Sequence, residues 1–243
     1  MIHGSCLPAI RGPNGQGGII DLFIASSYLG STSKSGKTSF MGDRGLPTIE
    51  AEKALSRFRD YFERNFKIDG REWEITREDV VPELLAKNDY FVREGVVCRK
   101  LAFIAEGVMR YTRFEESGDE TTCYFCAEED FVGDPESFDT QKPSDKNLMA
   151  ITDCQLVSLP YDAVRNLARA LPRFREIMAA IDRTTTMNLL HQRDFLINRD
   201  AASRYQYFLE HYPHILSRVP LGHVASFLDI TQQSLSRLRK QLS

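Results

Sequence analysis

The sequence predicts an α+β fold, in which an antiparallel β-roll with flanking helices precedes a long helix and a C-terminal helix-turn-helix. The first observation is a change of period, since the segments from Tyr90 to Leu159 are short, aromatic and β-branched, with turn residues between them. The second is helical periodicity on both sides of these segments. The third is a charge split: residues 161–243 carry 12 Lys and Arg against 7 Asp and Glu, whereas residues 1–160 carry 19 against 27. An acidic front and a basic rear indicate two parts with different partners.

Length and composition are those of an ordinary globular protein. The 243 residues allow one large domain or two small ones, and the hydrophobic and charged fractions are 42% and 27%. No apolar run approaches the roughly eighteen residues that a membrane span needs, and no basic segment of a secretory signal precedes the short apolar run near the N-terminus. The odd number of cysteines, five, favours free thiols and a cytoplasmic protein without a membrane partner.

Residues 1–45 are rich in Gly and Ser and are expected to form a flexible extension. Met41 is an alternative start, so residues 1–40 need not belong to the native protein. The stretch GSTSKSGKTSF resembles a phosphate-binding loop, a motif that needs Gly, four residues and then Gly-Lys-Ser/Thr. Ser31 stands where the first Gly belongs, which argues against an NTP-using enzyme.

Two helices are expected before the strand-rich part. The first covers Pro47 to Phe66, and the second covers about Arg77 to Lys87, after Thr76. The strands then follow in DYFVREG, KLAFIAEGVMRYTRFE, ETTCYFCAEEDFVG and NLMAITDCQLVSL. EESGDE, between the second and third of these segments, is expected to be a hairpin turn.

From Tyr161 onward the period is helical again. A short helix ends at Pro172, and a long helix is expected over residues 172–198. The seam of this long helix is spaced by threes and fours and consists of Phe174, Ile177, Ile181, Asn188, His191 and Phe195. Because a helix this long with an apolar seam usually packs against a copy of itself, we expect a homodimer.

Residues 221–243 are expected to form two short helices joined by a sharp turn. Apolar side chains occupy the facing sides of the two helices, namely Leu221, Val224, Ala225, Leu228, Leu235 and Leu238. Asp229 lies where the chain must turn, because Asp tolerates the left-handed region better than most residues. Thr231 is placed to cap the second helix through its hydroxyl.

The opposite side of the second helix is polar and basic. Its residues are Thr231, Gln232, Gln233, Ser236, Arg237, Arg239 and Lys240. Gln and Arg reach base edges in a major groove, and Ser and Lys suit phosphates. The alternatives are an amphipathic helical hairpin with a solvated basic face and a ligand-binding or protein-interaction module. The charge split and the long helix favour double-stranded DNA as the partner.

From about residue 46 to the end, the chain resembles the Crp/Fnr family of bacterial transcription regulators. YPHILSRVPLGHVASFLDITQQSLSRLRKQ resembles the Bacteroidetes-type version, in which the chain ends just after the recognition helix and lacks a β-hairpin wing. REGVVCRKLAFIAEGVMRYT and FVGDPESF resemble the family's roll and its ligand-facing cassette. The resemblance implies a cyclic-nucleotide-binding-like jelly roll, or double-stranded β-helix, and a regulator that is not an enzyme.

The resemblance also implies domains and partners. The effector domain would span residues 46–171, the dimerisation helix 172–198 and the helix-turn-helix domain 199–243. A homodimer would bind a roughly palindromic operator with half-sites about 34 Å apart, and RNA polymerase is a further candidate partner. The family's base-reading residues correspond to Gln232, Gln233 and Arg237, and its phosphate contacts to Thr231, Ser236 and Lys240.

The cassette departs from the family's pattern. In members that bind cyclic nucleotides, an Arg after the Gly-Glu element clamps the cyclic phosphate, but GDPESFDTQKPSDKNLMAI contains no Arg. The implied effector-pocket residues are Gly133, Asp134, Glu136, Ser137 and Ser144, with Gly133 and Glu136 facing the ribose and Ser144 about where the Arg belongs. Lys142 or Lys146 would supply a point charge without bidentate geometry. We therefore expect another effector, or none, rather than a cyclic nucleotide, and assign no cofactor.

No metal site or catalytic site is expected. Cys123 and Cys126 form a Cys-x-x-Cys, but side chains three apart on a strand point to opposite faces, and no further ligands accompany them. His191 is expected to lie in the dimer seam or half-exposed. The remaining C-terminal histidines are expected to pack or to touch phosphate, and no nucleophile–base arrangement is found.

Overall fold

The structure, a computed structural model, describes residues 44–115, 118–197 and 199–242. Within these ranges nine strands form two antiparallel sheets, with the orders β1-β2-β9-β4-β7 and β3-β8-β5-β6. The strands are β1 (Arg44–Gly45), β2 (Val81–Leu85), β3 (Tyr90–Val92), β4 (Lys100–Glu106), β5 (Met109–Phe114), β6 (Glu120–Cys126), β7 (Phe131–Val132), β8 (Asn147–Ala150) and β9 (Cys154–Pro160). The predicted antiparallel roll is therefore confirmed.

Helices precede and follow this roll in the sequence, and one short helix, α3, lies within it between β7 and β8. They are α1 (Thr48–Phe66), α2 (Gly70–Asp79), α3 (Pro135–Thr140), α4 (Tyr161–Ala170), α5 (Phe174–Ile197), α6 (Ala201–His211), α7 (Pro213–Leu216), α8 (Leu221–Phe227) and α9 (Gln232–Leu242). Every described helix is either too short or too polar to span a lipid bilayer.

The N-terminal stretch lies outside the described residues up to residue 43, and with it the loop-like motif that contains Gly36 and Lys37. The last two residues of this stretch, Arg44 and Gly45, form a strand and pair with Leu84 and Glu83 of β2. Backbone hydrogen bonds to a neighbouring strand attach these two residues to the roll.

The second helix begins earlier than the sequence predicts. It covers Gly70–Asp79, and five of the residues assigned to it, Val81–Leu85, form strand β2 instead. The helix starts at Asp69, whose side chain accepts a hydrogen bond from the Glu72 backbone N–H at 2.8 Å. The Glu72 side chain in turn accepts one from the Asp69 backbone N–H at 3.0 Å. This reciprocal capping box satisfies two donors that the first turn would otherwise leave free.

Aromatic side chains fill the space between helix α1 and the five-stranded sheet. Phe58 is fully buried, and its ring centroid lies 5.3 Å from that of Phe103 on β4. Tyr61 lies 5.5 Å from Phe131 on β7. Tilted and edge-on rings at these separations add to the gain from burial, so the helix is held firmly on the roll.

The long helix α5 has a buried face and an exposed apolar face, and the predicted seam lies mainly on the buried one. Phe174, Ile177 and Ile181 belong to the core of the roll. Phe195 stacks on Tyr207 of α6 with centroids 3.8 Å apart. These four seam residues therefore pack within their own chain, and their contact with a second copy stays a prediction. The exposed apolar residues of α5 are Met187, Leu190 and Ile197.

A second hydrophobic core joins the outer face of the four-stranded sheet to the C-terminal helices. The roll contributes Val108, Phe125, Ala127 and Ile151. The C-terminal part contributes Tyr205, Phe208, Ile215, Val219, Val224, Ala225, Phe227, Leu228 and Leu235. The C-terminal helices therefore share apolar packing with the roll.

Candidate nucleic-acid interface and effector cassette

The turn between α8 and α9 has the geometry that the sequence predicts. Asp229 adopts the left-handed region with φ of 52°. The Thr231 hydroxyl accepts a hydrogen bond from the Ser234 backbone N–H at 3.1 Å and so caps α9. The Ile230 N–H donates to the Ala225 carbonyl at 3.0 Å, which closes the turn. Local side-chain chemistry thus sets the angle between the two helices.

The facing sides of α8 and α9 form a small apolar core. Val224, Leu228 and Leu235 are fully inaccessible to solvent, and Ala225 is almost so. The small Ala225 side chain allows the backbones to approach closely, and Leu238 packs at the edge of this core. With its inner face fixed in this way, α9 must present its remaining side chains outward.

The outward face of α9 is polar and exposed. All seven residues predicted to contact DNA are exposed: Thr231, Gln232, Gln233, Ser236, Arg237, Arg239 and Lys240. A shallow open depression at the start of the helix is lined by five of these side chains, that is, by all except Arg239 and Lys240. This surface offers amide and guanidinium groups that can donate to base edges, and cations for phosphates.

Polar contacts attach the C-terminal helices to the roll, and sequence reasoning missed them. The Thr122 backbone N–H on β6 donates to the Ser226 hydroxyl on α8 at 2.9 Å. Arg218 donates two hydrogen bonds to the Glu128 carboxylate, at 2.9 and 2.8 Å. Burial raises the pKa of Glu128, but hydrogen bonds from Arg218 and the Gly107 N–H outweigh it, so that the pKa is lowered.

A buried cation lies under the first helix of the helix-turn-helix. Arg110 on β5 is buried and pairs with Glu120 and the Thr122 hydroxyl. His223 on α8 lies close enough for its pKa to be lowered, first by burial and then by the positive charge of Arg110, while Glu120 opposes the change. This polar cluster lies at the junction between the roll and the C-terminal helices.

The cassette begins at Gly133, whose backbone conformation strongly favours glycine. Its φ is +145°, and a Cβ at this position would lie 2.6 Å from Leu101 Cδ2. Tyr111 on β5 holds the same residue from inside the roll: its hydroxyl donates to the Gly133 carbonyl at 2.7 Å and accepts from the Gly133 N–H at 3.0 Å. Burial raises the pKa of the Tyr111 phenol well above its usual value, so the hydroxyl stays protonated.

The next cassette residues bond to one another. Asp134 is 2% exposed, and its carboxylate accepts a hydrogen bond from the Ser144 hydroxyl at 2.6 Å and pairs with Lys146 Nζ at 3.1 Å. The Ser137 hydroxyl accepts from the Cys98 N–H at 2.9 Å. Glu136, by contrast, is exposed on α3. The structure thus brings Asp134, Ser137 and Ser144 together around a buried carboxylate, with Lys146 as its cation.

The remaining candidates show no metal-binding arrangement. Among the residues that the structure describes, no group of three or more His, Cys, Asp or Glu side chains could hold a metal ion. Cys126 is buried, which raises the pKa of its thiol well above the usual value, and Cys123 is half-buried on the same strand. His191 is exposed on α5, and His211 stacks on Tyr207 with centroids 3.7 Å apart.

Comparison with protein-family models identifies the roll. Residues 82–170 match the family described as Cyclic nucleotide-binding domain. This range covers the strands β2 to β9 apart from the first residue of β2, together with the cassette and helix α4. No curated protein sequence matches the chain significantly.

Solved structures with the same fold cover most of the chain. FixK2 from Bradyrhizobium japonicum is 14% identical with a TM-score of 0.59, over 67% of this chain and 84% of its own. A protein of the Crp/Fnr family from Eubacterium rectale is 14% identical with a TM-score of 0.58, over 75% and 87%. The c-di-GMP responsive global regulator CLP from Xanthomonas campestris is 19% identical with a TM-score of 0.57, over 72% and 91%. The predicted resemblance to Crp/Fnr regulators is thus confirmed for the fold.

Proposed function

We propose that this chain is a sequence-specific, DNA-binding transcriptional regulator that acts as a homodimer in the cytoplasm and has no enzymatic activity. The observation that supports it most directly is the exposed polar face of α9, whose opposite face is locked into an apolar core. Similarity of fold to a global regulator and to a Crp/Fnr family protein adds support. The sequence adds the basic charge of the C-terminal part.

In this proposal some side chains of α9 contact DNA bases and others contact phosphates. Gln232, Gln233 and Arg237 lie in the N-terminal half of the helix, which is the part that contacts base edges when a recognition helix enters a major groove. Lys240 lies one turn further along and would neutralise a phosphate. The Thr231 hydroxyl at the start of the helix and the Ser236 hydroxyl would contact other phosphates of the DNA backbone.

The proposed homodimer uses the exposed apolar residues of α5. Met187, Leu190 and Ile197 recur at intervals of three and seven residues, which places them on one side of the helix, away from buried Ile181 and Gln192. Such a stripe matches the apolar repeat of a two-helix seam. A two-fold axis along α5 would present two recognition helices to successive major grooves, about 34 Å apart.

Binding to DNA selected from a random duplex pool tests this proposal. We expect Arg237→Ala to weaken binding by about 1–3 kcal/mol and to relax the preference at one base position of each half-site. Arg71→Ala is the matched control, because Arg71 is an exposed arginine on α2, remote from α9. Equal binding by the two variants would reject the assignment of α9 as the recognition helix.

Salt dependence separates DNA recognition from protein docking. Lys240→Ala should weaken binding to all sequences alike and lower the slope of log K against log salt by about one, because one fewer counterion is released. If the wild type binds no DNA at low ionic strength, the C-terminal helices serve as a protein-interaction module instead.

Molar mass in solution tests the homodimer. Leu190→Glu places a charge within the exposed stripe of α5 and should convert the dimer into a monomer, because burying an unpaired carboxylate is unfavourable. Asn188→Glu adds the same charge on the side of the helix that carries the seam expected from the sequence, and it should leave the dimer intact if the exposed stripe is the interface. A monomeric wild type, or a dimeric Leu190→Glu variant, would exclude this interface.

A further inference from the structure

We infer that Asp134 takes the place of an anionic effector in the cassette, so that Lys146 and Ser144 become an anion-binding site only when the Asp134 carboxylate is removed. The inference concerns what the roll binds and does not depend on DNA recognition. Its starting point is a disagreement: residues 82–170 match a cyclic nucleotide-binding domain, yet the cassette contains no Arg.

The two groups that could bind a phosphate, the Ser144 hydroxyl and the Lys146 ammonium, already bond to the Asp134 carboxylate. Ser144, which stands about where the resemblance places the phosphate-clamping Arg, donates its hydroxyl proton to Asp134 at 2.6 Å. Lys146, two residues after Ser144, pairs with the same carboxylate at 3.1 Å. Each group therefore already has the anionic partner that an effector phosphate would provide.

Charge around Lys146 opposes a second anion. The ammonium is shared between Asp134 and the exposed Asp145, whose carboxylate lies 3.2 Å away. Burial lowers the pKa of Lys146, but the two carboxylates raise it by more, so the ammonium stays charged and paired. An effector phosphate would have to enter beside two carboxylates that share one cation, and like charges in a buried site repel strongly.

The same carboxylate also organises the cassette without a ligand. Asp134 caps α3, with the Ser137 N–H at 3.4 Å from its carboxylate, and its own N–H donates to the Cys98 sulfur at 3.4 Å. The preceding residue, Gly133, is held by both hydrogen bonds to Tyr111. A cassette ordered in this way needs no nucleotide to reach its folded conformation.

Lys142, the other lysine near the cassette, is poorly placed to replace Lys146. Its side chain is exposed, whereas its backbone carbonyl accepts a hydrogen bond from the Ser137 hydroxyl. A phosphate bound there would lie in water, where a single ion pair contributes little. The buried site around Lys146 is therefore the position where removal of one charge should change binding.

Calorimetric titration of the full chain with cyclic AMP, cyclic GMP and inorganic phosphate tests the inference. We expect no binding to the wild type at millimolar ligand. Asp134→Asn, which keeps the shape and a hydrogen-bond acceptor, should bind phosphate measurably, at least about tenfold more tightly than the detection limit that bounds the wild type, because Lys146 then lacks its buried partner. Adding Lys146→Met to this variant should abolish the binding.

Asp145→Asn is the matched control, since it removes the same charge beside the same lysine from a side chain that is 77% exposed. It should bind no better than the wild type. If Asp134→Asn does not fold, Asp134→Ser, which keeps a capping oxygen, takes its place. Binding of phosphate but not of cyclic nucleotide by the variant would support the anion site and show that the roll interior excludes the nucleoside.

Two results would overturn the inference. One is micromolar binding of a cyclic nucleotide or phosphate to the wild type, a measurement that needs no variant. The other is a folded Asp134 variant that binds no anion. Since no DNA is present in these titrations, their failure would leave the DNA-binding proposal intact, and loss of DNA binding would leave this inference intact.

Discussion

Replacing Phe125 by alanine should loosen the C-terminal helices from the roll. Phe125 is 3% exposed on β6, and its ring centroid lies 5.3 Å from Phe227 of α8 and 6.0 Å from Phe208 of α6. An aromatic side chain buries at least about 150 Å² of apolar surface, which at about 25 cal/mol per Å² corresponds to about 4 kcal/mol. Phe→Ala substitutions in protein cores lose about 3–5 kcal/mol, so the two magnitudes agree.

Urea unfolding followed by two signals measures this effect. Trp73 is the single tryptophan of the chain and is buried on α2 beside Phe58 of α1, in the core of the roll, so its fluorescence reports on that core. Far-ultraviolet circular dichroism reports on all helices. In the Phe125→Ala variant we expect the helical signal to fall at lower urea than the fluorescence, because the C-terminal helices lose their shared core while the roll keeps its own.

Phe114→Ala provides the control, because Phe114 lies on the neighbouring strand β5 and is 52% exposed. We expect it to change stability by less than about 0.5 kcal/mol, as surface substitutions usually do. The reasoning is refuted if Phe125→Ala also loses less than about 1 kcal/mol, or if both signals still fall together at the wild-type midpoint.

Three further predictions concern charge and backbone conformation. Burial, followed by the nearby Asp182 carboxylate, raises the pKa of Asp139 to about 7, so folding takes up a proton and stability falls as pH rises from about 4 to about 7. Because Asp139 is only partly buried, Asp139→Asn should flatten this fall by about 1 kcal/mol in unfolding measured against pH. Asp229→Val should lower stability by about 1–2 kcal/mol and Asp229→Gly should not, because only the former is strained at positive φ. A double-mutant cycle on Glu128 and Arg218 should give a coupling of about 1 kcal/mol, since both side chains are about one-third exposed; a coupling of zero would make the pair incidental.

The helix-turn-helix was predictable because its signals are local. Thr231 caps a helix that starts one residue later, and Asp229 must turn the chain within a single residue. Leu235 could be placed inward from helical periodicity alone, since its partners lie within the preceding helix. These features depend on residues fewer than fifteen positions apart, so a single sequence is sufficient to specify them.

The cassette and the helix α2 show where this reasoning stops. The pairing of Asp134 with Ser144 and Lys146 closes a loop of ten to twelve residues, and sequence spacing alone does not determine that geometry. The start of α2 could have been predicted from the sequence, because Asp69 and Glu72 have the spacing of a capping box. The second core could not be predicted, because Phe125 is one of several aromatic residues in alternating strands. Only the folded sheet shows which of its faces lies outside the roll.

The four-stranded sheet connects the two candidate sites through opposite faces of the same strand. Tyr111 on β5 points into the roll and holds Gly133 at the start of the cassette. Its neighbour Arg110 points outward, because successive strand residues alternate, and lies on the same face as Phe125, its partner across the ladder. A displacement of β5 by the cassette would therefore also displace the residues that pack against the C-terminal helices, without an intervening linker. The local contacts of Asp134 at the start of the cassette and the packing of the C-terminal helices are therefore linked through one strand.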